Sequence, residues 1–225
     1  RTFAERALDR ESVVPAQVAA YFDRFPPLTN QGRGHYAVAL IALGRPEANQ
    51  VALEAWRGGP MGDAQEAAVF ARLGPALKPD DHDVRMDALL WAGPGPQAER
   101  QLLYVSSDKR MYFAARLGMV NRKDPASAGI DLGPAMLSDA GWLYNRARFL
   151  RTGGQSGAAV SLLANRPRLA APPRDPRRWI GELLAVAKVA DPGNAVRIAA
   201  SVDDTFAPGT DVSGQSFSIR DDYTS

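Results

Sequence analysis

The feature that most constrains this chain is the spacing of its apolar residues, which is helical nearly throughout and is cut at short intervals by glycine and proline. Val14, Val18, Tyr21 and Phe25 fall at i, i+4, i+7 and i+11, and Ile180, Leu183, Leu184 and Ala187 at i, i+3, i+4 and i+7. Both spacings line one face of a helix. Further stripes are Tyr36, Leu40 and Leu43; Ala48, Val51, Ala52 and Ala55; Ala64, Ala67, Ala68 and Ala71; Phe113, Leu117 and Val120; and Leu143, Ala147 and Leu150. No stretch alternates with the period of two that a half-buried strand needs. The breaks carry their own chemistry. Gly44-Arg45-Pro46 and Gly93-Pro94-Gly95-Pro96 stop one helix and start another, glycine suiting a left-handed helix end and proline a first turn. Ser106-Ser107-Asp108, Asp175-Pro176 and Asp191-Pro192 read as helix starts, because short oxygen-bearing side chains accept from unpaired first-turn amides. The pattern predicts about a dozen helices of roughly 8 to 15 residues, joined by short loops.

The helices repeat. Leu89, Leu90, Gly93, Ala98, Leu102 and Leu103 recur, 60 residues on, as Phe149, Leu150, Gly153, Ala158, Leu162 and Leu163. A looser copy, Leu40, Ile41, Gly44 and Leu53, lies 49 or 50 residues before the first. A helix, a glycine turn and a second helix repeated without a strict period predict an all-α fold of irregular helical-hairpin repeats. Such hairpins bury their apolar faces by stacking, as an α-solenoid. The competing reading is an irregular helical bundle. Residues 1–200 form the repeat domain in this reading. Residues 201–225, rich in Asp, Ser, Thr and Gly, form a polar loop or truncated end leading to a further C-terminal part, since Asp221-Asp222 could open another helix.

The chain's 225 residues are 45% hydrophobic and 23% charged, which suits a folded protein with a sizeable core. A net charge of +2 does not fit a dedicated nucleic-acid binder, and no nucleic-acid partner is expected. The charge is uneven, however. From Asn145 to Arg178 there are eight arginines against one acid, Asp175. This stretch is read either as a solvated face with interhelical pairs or as a surface for an anionic partner, with Arg146, Arg148, Arg174, Arg177 and Arg178 as candidate contacts. The absence of cysteine excludes disulfides and thiol catalysis without choosing a compartment. No run approaches the roughly 18 apolar residues that span a bilayer, and no secretory signal opens the chain. Because residue 1 is Arg, the sequence is expected to begin after something removed.

Catalytic chemistry is not legible. A nucleophilic triad needs a base such as histidine beside Ser or Cys. Only His35 and His82 are present, and Gly154-Gln155-Ser156-Gly157 misses the spacing of a nucleophile elbow. No phosphate-binding loop occurs. Asp80-Asp81-His82-Asp83 offers metal-ligand types, but four adjacent residues cannot all face one ion in ordinary backbone. One of these aspartates is expected instead to cap a helix beginning near Val84. Glu11-Ser12 is read as a solvated first-turn acid beside a serine. Trp56, Trp91, Trp142 and Trp179 fall inside helical stretches, where packing between repeats is the commoner use and stacking on a sugar the alternative. No catalytic, metal or cofactor site is therefore assigned.

Several strings, taken in order, resemble the helical superdomain of soluble lytic transglycosylases. They are Phe25-Pro26-Pro27; Ala55-Trp56-Arg57-Gly58-Gly59; Leu77 to Gly93, containing Asp81-His82-Asp83-Val84-Arg85-Met86-Asp87-Ala88-Leu89-Leu90-Trp91; Ala114-Ala115-Arg116-Leu117; Tyr144 to Leu150; and Asp175-Pro176-Arg177-Arg178-Trp179. The likeness spans roughly residues 20 to 200. In that family a catalytic Glu-Ser pair is followed by Gly-Leu-Met-Gln. Glu11-Ser12 is not, so no catalytic position carries over. The resemblance implies a periplasmic enzyme that cleaves the peptidoglycan MurNAc–GlcNAc bond with 1,6-anhydro product formation. Its lysozyme-like domain would lie elsewhere in the protein and bind the glycan strands. The helical part would wind into a right-handed superhelix, an α-solenoid in ring or horseshoe form, shape access to the glycan and hold other cell-wall proteins. The alternative is a free-standing helical-repeat adaptor that binds proteins and has no enzyme activity.

Overall fold

Proline and aspartate set many of the helix starts. Asp175 and Asp191 accept from the amides of Arg178 and Asn194, opening α11 (Pro176–Ala187) and α12 (Pro192–Ala200) with proline in the first turn. Asp139 caps α9 (Ala140–Thr152) through Trp142 N–H, and Thr29 caps α3 (Asn30–Ala42) through Gly32 N–H. The remaining helices are α1 (Thr2–Ala7), α2 (Pro15–Arg24), α4 (Ala48–Arg57), α5 (Asp63–Leu73), α6 (Pro79–Ala92), α7 (Pro96–Gln101), α8 (Arg110–Val120) and α10 (Ser156–Ala164). This computed structural model describes residues 2–8, 13–130 and 133–211. Among them are twelve α-helices, four short 3₁₀ turns and no strand, so the fold class is all-α. None of these helices is long and apolar enough to cross a membrane.

The chain divides into two compact units, Arg1–Leu117 and Gly118–Ser225. In the first, α3 packs on α2, α4 and α5, α4 also meets α5 and α6, and α6 meets α7. One core gathers Ala37, Ala52, Ala55, Trp56, Met61, Val69 and Leu73; another gathers Val18, Ala19, Phe22, Ala39, Leu40 and Ala48. In the second unit α9, α10, α11 and α12 pack on their neighbours and next neighbours, around buried Leu143, Ala147, Leu163, Trp179 and Ile198. Each fully buried large apolar side chain contributes about 1.5–3 kcal/mol.

The structure corrects several stripes. On α2 the buried face is Val18, Ala19 and Phe22, while Val14 and Phe25 are exposed. On α5 the core takes Val69 and Leu73, and Ala64, Ala67 and Ala71 face outward. Alanine has too little apolar surface to decide a helix's orientation against larger side chains. Ser106-Ser107-Asp108 does not open a helix, since α8 begins at Arg110. Nor is the start of the 201–225 stretch loose. Ser201–Thr205 is a 3₁₀ turn against α11 and α12, with Thr205 fully buried.

The repeat survives with its register moved by one. Met86 and Ala147, Leu89 and Leu150, and Ala98 and Ala159 are buried pairs, and Gly93 and Gly154 both have positive φ (116° and 80°). These pairs are 61 residues apart, not 60. Gly44 (φ 64°) and Gly154 also end their helices alike. Arg45 N–H returns to Leu40 O and Gln155 N–H to Leu150 O, the bond that closes a Schellman turn.

Candidate functional site

The polar residues of α6 show what the least generic string in the chain does. Asp81 accepts from Lys78 N–H at 2.8 Å and from the Arg57 guanidinium, so it closes the helix start five residues earlier than Val84. Burial opposes ionisation of Asp81, but the Lys78 amide and Arg57 outweigh it and hold the carboxyl below the usual aspartate range. Asp83 turns elsewhere, accepting from Ser106 N–H (2.9 Å), Ser106 Oγ (2.6 Å) and Lys109 Nζ (3.1 Å). Burial is again outweighed by these donors, and its pKa is lowered. Asp87 receives Arg116, whose side chain is buried, at 2.7 Å. The residues that resembled a metal cluster thus diverge to separate partners.

His82, 8% exposed, accepts from Gln101. The Gln101 Nε2 that lies 3.0 Å from His82 Nδ1 also donates to His82 O at 3.2 Å, which identifies that atom as the amide nitrogen and leaves Nδ1 as acceptor. This arrangement suits the neutral His82 ring with its proton on Nε2. Burial lowers its pKa, against the opposing pull of Asp81 and Asp83.

Arg85 is fully buried. Its Nη1 donates to Gly59 O (2.8 Å) and Trp56 O (3.2 Å), its Nη2 lies 3.5 Å from Glu66, and its guanidinium sits 4.1 Å from the Trp56 ring centre. Burial pulls its pKa down to about 10, so it stays charged at neutral pH. The string Ala55 to Gly59 complements this set. Asn30 Nδ2 donates to Ala55 O, Trp56 enters the core and Arg57 reaches Asp81. Gly59 turns at φ 101°, where an added Cβ would meet Ala88 Cβ at 2.8 Å.

Beside this set lies a cleft of about 230 Å³, lined by Trp56, Asp63, Glu66, Ala67, Phe70, Arg100, Gln101 and Tyr104. Trp56 stacks on Phe70 (5.4 Å, 27°), Phe70 meets Tyr104 (5.5 Å), and His82 stacks on Tyr104 (5.3 Å) and meets Trp56 edge-on (5.7 Å). Four rings thus close a circuit under the cleft. Sequence reading found Trp56 but not the rest, because Phe70, Arg100 and Tyr104 come from α5, α7 and the segment after α7 and share no motif.

The arginine-rich stretch lies in the second unit and is largely paired. Arg146 donates to Asp124 at 2.8 Å. Arg151 grips buried Glu182 with two bonds (2.7 and 2.9 Å), and Arg148 lies 3.8 Å from the same carboxylate. Arg166, nearly sealed from solvent, binds both oxygens of Asp204 and lies over Trp179. Arg178 pairs with Asp175 at 3.2 Å and keeps 46% of its side chain exposed. Arg168, Arg174 and Arg177 are exposed. Of the candidate contacts, Arg148, Arg174, Arg177 and Arg178 are the outward ones. Among the tryptophans, Trp56, Trp91 and Trp179 are buried and Trp142 half-buried. Glu11-Ser12 lies outside the described residues.

No family model, curated protein or solved structure matches this chain.

Proposed function

We propose that this chain is the non-catalytic helical scaffold of a periplasmic lytic transglycosylase, and that its hairpins stack into a right-handed superhelix. The enzyme would cleave the MurNAc–GlcNAc bond of peptidoglycan with formation of a 1,6-anhydro sugar, through a catalytic domain that this chain does not contain. One observation carries the reading. The most specific string of the family resemblance, within Leu77 to Gly93, is fastened to another of its strings, Ala55 to Gly59, by Arg57 on Asp81 and Arg85 on Gly59 O. Polar side chains that reach from one hairpin to the next are what a stacked helical scaffold uses to fix its hairpins against each other.

Packing of α3 on α2, α4 and α5, of α4 on α5 and α6, and of α9 to α12 on their next and next-but-one neighbours supports stacked hairpins over a bundle closed on one centre. The outward arginines, Arg148, Arg174, Arg177 and Arg178, are the surface offered to an anionic cell-wall component. Reading the encoding gene past Ser225 tests the proposal. A Glu-Ser pair followed by Gly-Leu-Met-Gln in one reading frame is expected. A stop codon directly after Ser225, or a further helical repeat without that segment, would favour the protein-binding adaptor instead.

A further inference from the structure

We propose that the cleft between Trp56, Phe70 and Tyr104 binds the cationic side chain of a peptide, arginine or lysine, and that Arg100 is an internal occupant that the guest displaces. The proposal is independent of the transglycosylase reading. The cleft's walls are aromatic, and its volume of about 230 Å³ suits one long side chain. Aromatic faces attract cations, and the hydrocarbon stem of arginine or lysine packs against the same rings. The molecule already uses this chemistry once, on the other side of the wall, where Arg85 lies over Trp56 and leans on Glu66.

The rim supplies the counter-charge. Asp63 has 84% of its side chain exposed and Glu66 14%, and both turn toward Arg100. Arg100 Nη2 makes one good contact, 3.0 Å to Glu66 Oε2, and one long contact, 3.4 Å to Asp63 Oδ1. Half of the Arg100 side chain remains in solvent. An exposed arginine with one good and one stretched ion pair is weakly held. A guest guanidinium or ammonium entering along the rings finds the same two carboxylates, with Asp63 nearly free to turn. An anionic guest at Arg100 would meet the repulsion of the two carboxylates beside it, and a neutral apolar guest would leave the rim charges unused.

The test is a titration of the ¹⁵N-labelled protein with three blocked tripeptides, acetyl-Gly-Arg-Gly-amide, acetyl-Gly-Glu-Gly-amide and acetyl-Gly-Leu-Gly-amide, following the amides of Glu66, Phe70, Arg100 and Tyr104. The arginine peptide is expected to shift them saturably at millimolar concentration and the other two to leave them in place. Arg100→Met, which removes the competitor, should tighten the arginine peptide by about fivefold, the equivalent of one exposed ion pair. Asp63→Asn should weaken it by a similar factor. Both positions are exposed enough for the variants to fold, and the same spectra report it. Shifts from the glutamate peptide that vanish in Arg100→Met, equal shifts from the leucine peptide, or no shift from the arginine peptide would each overturn the proposal.

Discussion

Replacing Arg85 by methionine tests whether the α6 string fastens the first unit. Methionine keeps most of the side-chain volume, so the loss is chiefly polar. Gly59 O and Trp56 O lose a charged donor at 2.8 and 3.2 Å, and bonds to a charged group are worth about 1.5–3 kcal/mol each. The guanidinium contact with the Trp56 ring adds about 1–2 kcal/mol. Against these stands the desolvation that a fully buried guanidinium suffers, several kcal/mol for an ion taken from water. Glu66 keeps Arg100 at 3.0 Å, so it is not stranded. Bonds and ring contact together are worth about 4–8 kcal/mol, and a desolvation of several kcal/mol set against them leaves a net loss of about 3 kcal/mol. Native-state hydrogen exchange of the Leu89 and Leu90 amides reads this directly, as a fall in protection of about two orders of magnitude. Arg100→Met, on the exposed side, should cost under about 1 kcal/mol. A loss below about 1 kcal/mol for Arg85→Met would mean that desolvation cancels the bonds, and the fastening role would fail.

Three further expectations follow from local geometry. Gly59→Ala should destabilise by at least about 2 kcal/mol, because φ is 101° and the new Cβ meets Ala88, whereas Gly181→Ala, with open space around it in α11, should stabilise by about 0.5–1 kcal/mol; thermal unfolding compares them. Glu182→Gln should cost the second unit about 1.5–3 kcal/mol by replacing the charged acceptor of the two Arg151 bonds with a neutral amide, visible as lost amide protection in α9 and α11. His82 has a lowered pKa in the folded chain, so the unfolded chain takes the proton first. Stability should be full above the ordinary imidazole value near 6.5 and fall as pH drops below it, measured as a urea midpoint lower at pH 5 than at pH 7.5. His82→Gln should flatten that slope.

Helix existence was legible in the sequence because burial of one face imposes the 3.6-residue period, and Asp175 and Asp191 were legible as caps because capping is local. The α6 start was not. Lys78 is no ordinary N-cap, and its closure depends on Asp81 reaching back from the first turn while also holding Arg57 from α4. The α5 stripe failed because four alanines outnumber, without outweighing, Val69 and Leu73. The repeat was visible but one residue out of register, since the adjacent glycines Gly153 and Gly154 look alike in sequence and only Gly154 has positive φ. The aromatic cleft was invisible because Trp56, Phe70 and Tyr104 meet only through tertiary packing. The arginine-rich stretch was visible as composition, but Arg166 and Arg151 are committed to Asp204 and Glu182, partners that no local rule selects.

The scaffold proposal is tested most directly by digesting purified peptidoglycan sacculi with this chain and, in parallel, with the complete product of its gene, and analysing the soluble fragments by mass spectrometry. The proposal predicts 1,6-anhydro-muropeptides from the complete product and none from the 225-residue chain. Anhydro products from the chain alone, or their absence from both digests, would contradict it.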